Sequence, residues 1–195
     1  LNPLIEKLCI PTLVIADMDS AEKEGHHKAA CPERGKGLIS SNYTIAKWLV
    51  KEKDLDKLLA IPSAKKEIIK ETPYKYSIRV AYQTPVAIDY DGTVKEAIAS
   101  TFEDCLVYTN YQLFKGISTD DTGSLVKSVS DEINSASSFE VFHKGVYEIL
   151  RSGKSDQKAE FALDLIYAID PDELIVPDYI DEGLEWLQSY LDPEE

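Results

Sequence analysis

A short apolar segment that ends in two aspartates constrains the fold of this chain more than any other feature. Residues 11–20 read Pro-Thr-Leu-Val-Ile-Ala-Asp-Met-Asp-Ser. The β-branched run before Asp17 is typical of a buried parallel strand that carries functional groups at its carboxyl end. In extended backbone Asp17 and Asp19 point to the same side, where paired carboxylates suit a hard cation such as Mg²⁺. A solvated acidic loop explains the pair equally well, so the motif needs support from elsewhere in the chain.

The chain is strongly acidic, with 35 Asp and Glu residues against 21 Lys and Arg and a net charge of −14. This balance argues against a surface that grips nucleic acid through clustered basic side chains. It does not argue against a metal-dependent site, where bound cations supply positive charge. The three cysteines predict neither a disulfide framework nor a zinc site and indicate a reducing cytoplasm. Apolar runs are too short to span a membrane, so we expect no membrane partner.

The hydrophobic pattern predicts an α/β chain in which helices dominate. Residues 1–8 resemble the end of an amphipathic helix, and a long polar loop is expected over 20–40. Apolar and polar residues alternate over 74–87, which predicts a strand. Further helices are predicted after Ser41 or Asn42, after Asp54, over 62–70, from Ser100, over 124–133 and 139–150, after Ser155 or Asp156 and from Pro177, with a turn at 120–123.

Two short motifs suggest other chemistries but lack the required context. Residues 152–155, Ser-Gly-Lys-Ser, mimic the end of a phosphate-binding loop, but Glu148 replaces the required glycine and a helix precedes the motif. His26 and His27 lack the spacing that directs metal ligands to one point, and a solvated loop explains them better.

Residues 86–93 form the main rival motif. Asp89-Tyr-Asp91-Gly-Thr resembles the signature of haloacid-dehalogenase-type phosphatases, in which the first aspartate is the nucleophile and the second the acid and base. Asp-Gly is also the strongest hairpin turn signal, and the preceding strand alternates like one side of a hairpin. An ordinary turn is the preferred interpretation, with a phosphatase site as the alternative.

Several segments along the chain together carry a family resemblance. They are residues 10–20, 40–49, 79–86, 101–104, 158–163 and 176–187. These segments are similar to the carboxyl-terminal Toprim region of OLD-family (overcoming lysogenization defect) nucleases, in the class with long helical insertions. The resemblance implies a Toprim-like α/β fold with a small parallel sheet flanked by helices, a β-hairpin and a largely helical insertion at roughly 112–152. Residues 1–195 would then form a single nuclease region.

The same resemblance implies a metal-dependent DNA endonuclease. Asp17 and Asp19 would share two Mg²⁺ or Mn²⁺ ions with Glu103 and Asp104, which would activate water and stabilise the leaving oxygen. Lys158 would supply fixed positive charge to the developing phosphorane. Two alternatives stay open, because Glu103 and Asp104 also suit the first turn of a helix and Lys158 also suits a solvated helix surface.

The resemblance further implies a longer parent protein. Toprim folds use a glutamate on an earlier strand, and OLD-family proteins carry an ATPase domain that binds ATP. Neither feature is found in these residues, so we expect a fragment that binds metal weakly and cleaves poorly on its own. The parent would act on DNA as a homo-oligomer in the cytoplasm, with phage defence as its role by analogy. A non-catalytic Toprim-type interaction module is the remaining alternative.

Overall fold

The computed structural model describes residues 2–117, 124–152 and 155–191. The chain forms two compact units, the first made of Leu1–Thr84 and Pro177–Glu195 and the second of Pro85–Val176. The elements of the first unit are α1 (Asn2–Leu8), β1 (Thr12–Ile15), β2 (Ser20–Ala21), β3 (Ile39–Ser40), a π-helix (Thr44–Leu49), α2 (Leu55–Leu59), a 3₁₀ turn (Ser63–Lys66), β4 (Glu67–Lys70), β5 (Tyr76–Ala81) and, after the second unit, α8 (Asp178–Leu191). Those of the second are β6 (Val86–Tyr90), β7 (Thr93–Ala97), α3 (Phe102–Thr109), α4 (Tyr111–Gly116), α5 (Ser124–Ser135), α6 (Phe139–Ser152), α7 (Ser155–Ala168) and a 3₁₀ turn (Pro171–Glu173).

β5 is the central strand of the sheet in the first unit. The strand order is β1-β5-β4, with β1 parallel and β4 antiparallel to β5. Val14 pairs with Val80 and Ile68 pairs with Ile78, so β-branched side chains lie beside one another across the strands. This small sheet with a parallel pair, flanked by helices, confirms the predicted α/β class and is consistent with a Toprim-like fold. Within the described residues β1 is an edge strand of this sheet.

Alternation along β5 builds the core of the first unit on one face of the sheet. The side chains of Tyr76, Ile78 and Val80 are buried on this face, as the period of two predicts. They pack in one cluster with Met18 and with apolar residues of the π-helix and α2. The predicted helix after Asp54 is confirmed, and Asp54 caps it by accepting the Lys57 N–H at 3.1 Å.

Helix α8 covers the opposite face of the same sheet at close range. A Cβ atom added at Gly183 would lie 3.1 and 3.2 Å from the Leu13 methyl carbons and 3.3 Å from the Ala81 Cβ. A side chain at this position would require Leu13 and Ala81 to move by a few tenths of an ångström, so the glycine favours this close approach of the helix backbone to β1 and β5. The close packing fixes the carboxyl ends of these two strands, where the first pair of candidate site residues begins.

Residues 62–70 do not form the predicted helix. They form a 3₁₀ turn followed by β4, because Ile68 and its neighbours pair with β5 and this tertiary pairing overrides the helix propensity of the lysines. Lys66, at the junction, is buried, and its Nζ lies 4.1 Å from the centre of the Tyr82 ring. Burial lowers the pKa of Lys66 to about 8.

The second unit combines a β-hairpin with helices α3 to α7. β6 and β7 pair antiparallel around Asp91 and Gly92, whose φ angles of 50° and 78° are those that an Asp-Gly turn favours. The Tyr90 ring at the end of β6 lies 5.9 Å from Phe142 on α6 and 6.1 Å from Tyr111 on α4. Helices α4 to α6 lie within the region predicted as an insertion, although its status as an insertion stays a prediction. The predicted turn at 120–123 lies outside the described residues.

Two further observations concern the chemistry of the chain as a whole. Cys9, Cys31 and Cys105 are free thiols, and Cys105 is buried in α3. Among the described residues, none of the helices combines the length and the apolar character needed to cross a membrane.

Candidate functional site

Asp17 and Asp19 lie directly after β1, where the chain leaves the sheet. The Ala16 N–H donates to the Ala81 carbonyl at 2.9 Å and so continues the parallel ladder just beyond β1. Met18, between the two aspartates, is fully buried, whereas both aspartates are partly exposed. Asp19 has a φ of 50°, which ends the extended conformation. The alternation in burial expected of a strand therefore persists over residues 17–19, although the regular strand has already ended.

A buried glutamine holds Asp17 in place. Gln83 follows β5, is 1% exposed, and donates from Nε2 to Asp17 Oδ1 at 2.9 Å and to the Tyr179 hydroxyl of α8 at 3.3 Å. Its Oε1 accepts the Met18 N–H at 2.7 Å. Because a backbone N–H can only donate, this contact fixes which end of the amide faces Asp17. Asp17 is thus tied to β5 and α8 as well as to β1.

Asp19 is held from the segment that follows β3. Asn42 Nδ2 donates to Asp19 Oδ2 at 3.2 Å, and Ser41 donates to the Asp19 carbonyl at 3.0 Å from both its backbone N–H and its hydroxyl. Asn42 Oδ1 in turn accepts the Thr44 N–H at 2.9 Å, at the start of the π-helix. Both aspartates therefore accept hydrogen bonds from carboxamides, which orient a carboxylate without bringing a positive charge to it.

Asp104 has the geometry of a helix cap. Its Oδ2 accepts the Ser100 N–H at 2.8 Å and its Oδ1 accepts the Thr101 N–H at 2.7 Å, completing a capping box at the start of α3. The side chain is 1% exposed. Burial raises the pKa of Asp104 to about 6, even though the bonds from Ser100 and Thr101 act to lower it. Asp104 therefore acts as a cap in the first turn of α3, which was the sequence-based alternative to metal binding. Metal ligation by Asp104 stays a prediction.

Glu103 and Lys158 form an ion pair within the second unit. Lys158 Nζ lies 2.9 Å from Glu103 Oε1, and the two side chains are 35% and 18% exposed. Burial acts to raise the pKa of Glu103, but the hydrogen bond from Lys158, together with contacts to its own backbone and to Thr101, holds the pKa below its ordinary value. Two candidate residues from distant positions in the sequence therefore lie in direct contact, as a carboxylate and an ammonium group.

The five predicted site residues are divided between the two units. Asp17 and Asp19 belong to the first unit, and Glu103, Asp104 and Lys158 belong to the second. Within residues 2–117, 124–152 and 155–191, no group of three or more His, Cys, Asp or Glu side chains is placed to hold a metal ion. A metal site shared by all four acids stays a prediction.

The rival motifs have structural explanations where the structure describes them. Asp89 Oδ1 accepts the Gly92 N–H at 2.9 Å and closes the turn of the β6–β7 hairpin, which is the preferred interpretation of that motif. His26 and His27 lie in the loop after β2 with φ angles of 64° and 55°. The phosphate-loop mimic includes residues 153 and 154, which lie outside the described residues.

Sequence reasoning missed Gln83 and Asn42. Both lie in segments that carry the family resemblance, but the resemblance gives neither residue a role. The signal for Gln83 was a polar residue just beyond a buried alternating strand. Once β1 and β5 are paired in parallel, that residue must lie at the same edge of the sheet as Asp17.

Comparison with known proteins gives one informative match. Over 202 aligned residues the chain is 26% identical to endonuclease GajA of Bacillus cereus (strain HuB5-5). The alignment covers 98% of this chain and 26% of that protein, so the chain spans about a quarter of the length of its relative. No family model matches the chain. No solved structure matches it either.

Proposed function

We propose that this chain is the nuclease region of a metal-dependent DNA endonuclease of Toprim type. The observation that carries the proposal is the similarity to endonuclease GajA over 98% of the chain. A match of that extent relates both units to an endonuclease, which a shared motif alone would not do. The parent protein would add an ATPase domain that binds ATP, and would act on DNA as a homo-oligomer in the cytoplasm, with phage defence as its role.

The donor set of the first unit fits a hard divalent cation. Asp17 and Asp19 are partly exposed residues at the end of a strand, and the backbone between and beside them is held by hydrogen bonds of the Met18 N–H and the Asp19 carbonyl. Mg²⁺ typically takes one or two carboxylates from a protein and completes its shell with water and substrate phosphate oxygens. Two aspartates are therefore a sufficient protein contribution for one such ion.

The two acids of the second unit differ in how well they suit this role. Glu103 is a partly exposed carboxylate whose pKa is held below its ordinary value, so it is charged at neutral pH and can serve as a further ligand. Asp104 fits poorly, because it is buried and both of its oxygens accept backbone N–H groups. We therefore propose Asp17 and Asp19 as metal ligands and Asp104 as a helix cap, and metal binding by Glu103 stays a prediction of the family resemblance.

The chemistry assigned to the chain follows from these positions. Bound Mg²⁺ or Mn²⁺ supplies a Lewis acid that polarises the scissile phosphate and lowers the pKa of water. Asp17 and Asp19 would hold this cation through their carboxylate oxygens. Lys158, oriented by Glu103, carries a positive charge that stabilises the charge developing on the phosphate oxygens.

The test is metal-dependent cleavage of plasmid DNA, measured for this chain and for its longer parent. We expect the parent to nick supercoiled plasmid with Mg²⁺ or Mn²⁺ and to lose this activity with EDTA. Asp17→Ala and Asp19→Ala should each remove most of the activity. Asp181→Ala is the matched control, because Asp181 is an exposed acid of the same unit on α8. Equal cleavage by the parent and by its Asp17→Ala variant would refute the proposal.

A further inference from the structure

We infer that Gln83 is a positioning residue for Asp17: its buried carboxamide fixes the direction in which the Asp17 carboxylate faces a bound divalent cation. This inference rests on the proposed metal-binding role of Asp17. Three features support this inference: the position of Gln83 in the fold, the hydrogen bonds of its amide and the absence of a charge on that amide.

The position of Gln83 follows from how the two parallel strands separate. The last backbone contact of the ladder runs from the Ala16 N–H to the Ala81 carbonyl. Two residues further along both strands, the Met18 N–H donates to Gln83 Oε1, a side-chain oxygen in the place of a backbone carbonyl. The glutamine side chain thereby continues the pairing at the point where the aspartates leave the sheet.

The contacts of the amide leave it one orientation. Oε1 is committed to the Met18 N–H at 2.7 Å, so Nε2 faces Asp17 Oδ1 at 2.9 Å and the Tyr179 hydroxyl at 3.3 Å. An amide nitrogen has two hydrogens, and these two acceptors use both of them. Because Gln83 is buried, water has little access to compete for these contacts. The direction of Asp17 is therefore set by three elements of the first unit.

An amide suits this task better than a charged side chain would. A lysine or arginine at this position would orient Asp17 but would also offset the negative charge that attracts a cation. A carboxamide donates a hydrogen bond and leaves that charge in place. Contacts of this kind to a metal-binding carboxylate typically change metal affinity by about 10–100-fold when they are removed.

The experiment is titration of the intact chain with Mn²⁺, followed by the electron paramagnetic resonance signal of the free ion. Gln83→Met keeps the length of the side chain but removes the hydrogen bond to Asp17, and we expect Mn²⁺ to bind about 10–100-fold more weakly. Tyr82→Phe is the matched control, because it removes a buried hydrogen bond of the same unit, from the Tyr82 hydroxyl to the Leu58 carbonyl at 3.0 Å, that involves neither Asp17 nor Gln83. We expect its Mn²⁺ affinity to stay within about twofold of the wild type.

Three measurements separate positioning from loss of structure and from failure of the proposed function. Far-UV circular dichroism and thermal unfolding without metal show whether each variant is folded. If Gln83→Met does not fold, Gln83→Asn takes its place, because it stays polar and withdraws the amide from Asp17 by one methylene. Asp17→Asn should abolish Mn²⁺ binding, and wild-type affinity in that variant would refute the metal site itself. Loss of binding in Asp17→Asn together with wild-type affinity in the folded Gln83 variant would overturn the inference alone.

Discussion

The two units carry their acidic residues in contrasting ways. In the first unit, Asp17 and Asp19 follow a strand and accept hydrogen bonds from the carboxamides of Gln83 and Asn42. In the second unit, the acids stand in the first turn of α3, where Asp104 caps the helix through two backbone N–H groups. Acids at the start of a helix therefore have a structural role available that acids after a strand do not have.

Two acidic residues close together in the sequence therefore predict different roles after a strand and at the start of a helix. Glu103 and Asp104 are adjacent in the chain but make different contacts. Glu103 forms an ion pair with Lys158, whereas the Asp104 carboxylate accepts the backbone N–H groups of Ser100 and Thr101. Asp17 and Asp19 are partly exposed and alternate with a buried Met18, so both can face the same ligand.

The largest effect on stability should come from Asp104→Ala. The change leaves the Ser100 and Thr101 N–H groups without their acceptor, and each such orphaned group costs about 1–3 kcal/mol. Part of this cost is offset because a buried carboxyl group is removed, so we expect a loss of about 2–4 kcal/mol in the free energy of unfolding by urea. Glu103→Ala, one residue earlier, is the control and should lose less than about 1 kcal/mol. Similar losses in both variants would contradict the capping role.

We also expect the free energy of unfolding to vary with pH because of Asp104. Burial raises its pKa to about 6 from an ordinary value of 3.8. Between about pH 4 and 6 the unfolded chain has released this proton while the folded protein retains it, so stability falls as pH rises across this range. At about 1.4 kcal/mol per pKa unit, the contribution is on the order of 2–3 kcal/mol.

Urea unfolding of the wild type and of Asp104→Asn at pH 4.5 and pH 7 measures this contribution. The asparagine cannot titrate, so the wild type should lose more stability than the variant between the two pH values. An identical pH dependence in the two proteins would show that the carboxyl group titrates near its ordinary pKa in the folded state.

The third prediction concerns metal binding and the first unit. A cation that binds only the folded state stabilises it by about 2.7 kcal/mol when its concentration is 100 times the dissociation constant. We expect Mn²⁺ to raise the thermal midpoint of the wild type and of Asp104→Asn alike, and to leave that of an Asp17→Asn, Asp19→Asn double variant unchanged. If Mn²⁺ no longer raises the thermal midpoint of Asp104→Asn, then Asp104 takes part in metal binding and the assignment of binding to Asp17 and Asp19 alone is wrong.

Most of the secondary structure could be predicted from the sequence, because it depends on local signals. Asp54 before an apolar helix, Asp91-Gly92 between alternating segments and the β-branched run before Asp17 each predicted the element that forms. The predictions that failed depended on pairing between distant segments. Residues 67–70 became a strand only because β5 lies beside them, and β1 is partly exposed rather than buried because, within the described residues, it pairs on one side only.

For the candidate site, too, the local motif could be predicted from the sequence and the long-range contacts could not. The identity of Asp17 and Asp19 follows from a local motif, whereas the contacts that hold them come from residues far along the chain. Gln83 is separated from Asp17 by 66 positions, and the Lys158 partner of Glu103 lies on a different helix. Extended backbone beyond β5 places Gln83 on the face opposite Tyr82, but only the parallel pairing of β1 with β5 brings its amide to Asp17.

The smallest effect on stability should come from Lys158→Met. The pKa of Glu103 is held below its ordinary value partly by Lys158, so the pair stabilises the folded state above that ordinary pKa and the contribution is lost on acidification. Because both side chains are partly exposed, the loss should stay below about 1 kcal/mol at pH 7 and should vanish at acidic pH, once Glu103 is protonated in the folded state. Under the proposed function, by contrast, removing the charge should slow cleavage by about 10²–10³-fold. Lys144→Met, which removes an ion pair with Glu148 at 3.6 Å on α6, is the matched control and should leave cleavage unchanged. Equal cleavage by the Lys158 and Lys144 variants would show that the charge of Lys158 has no part in cleavage.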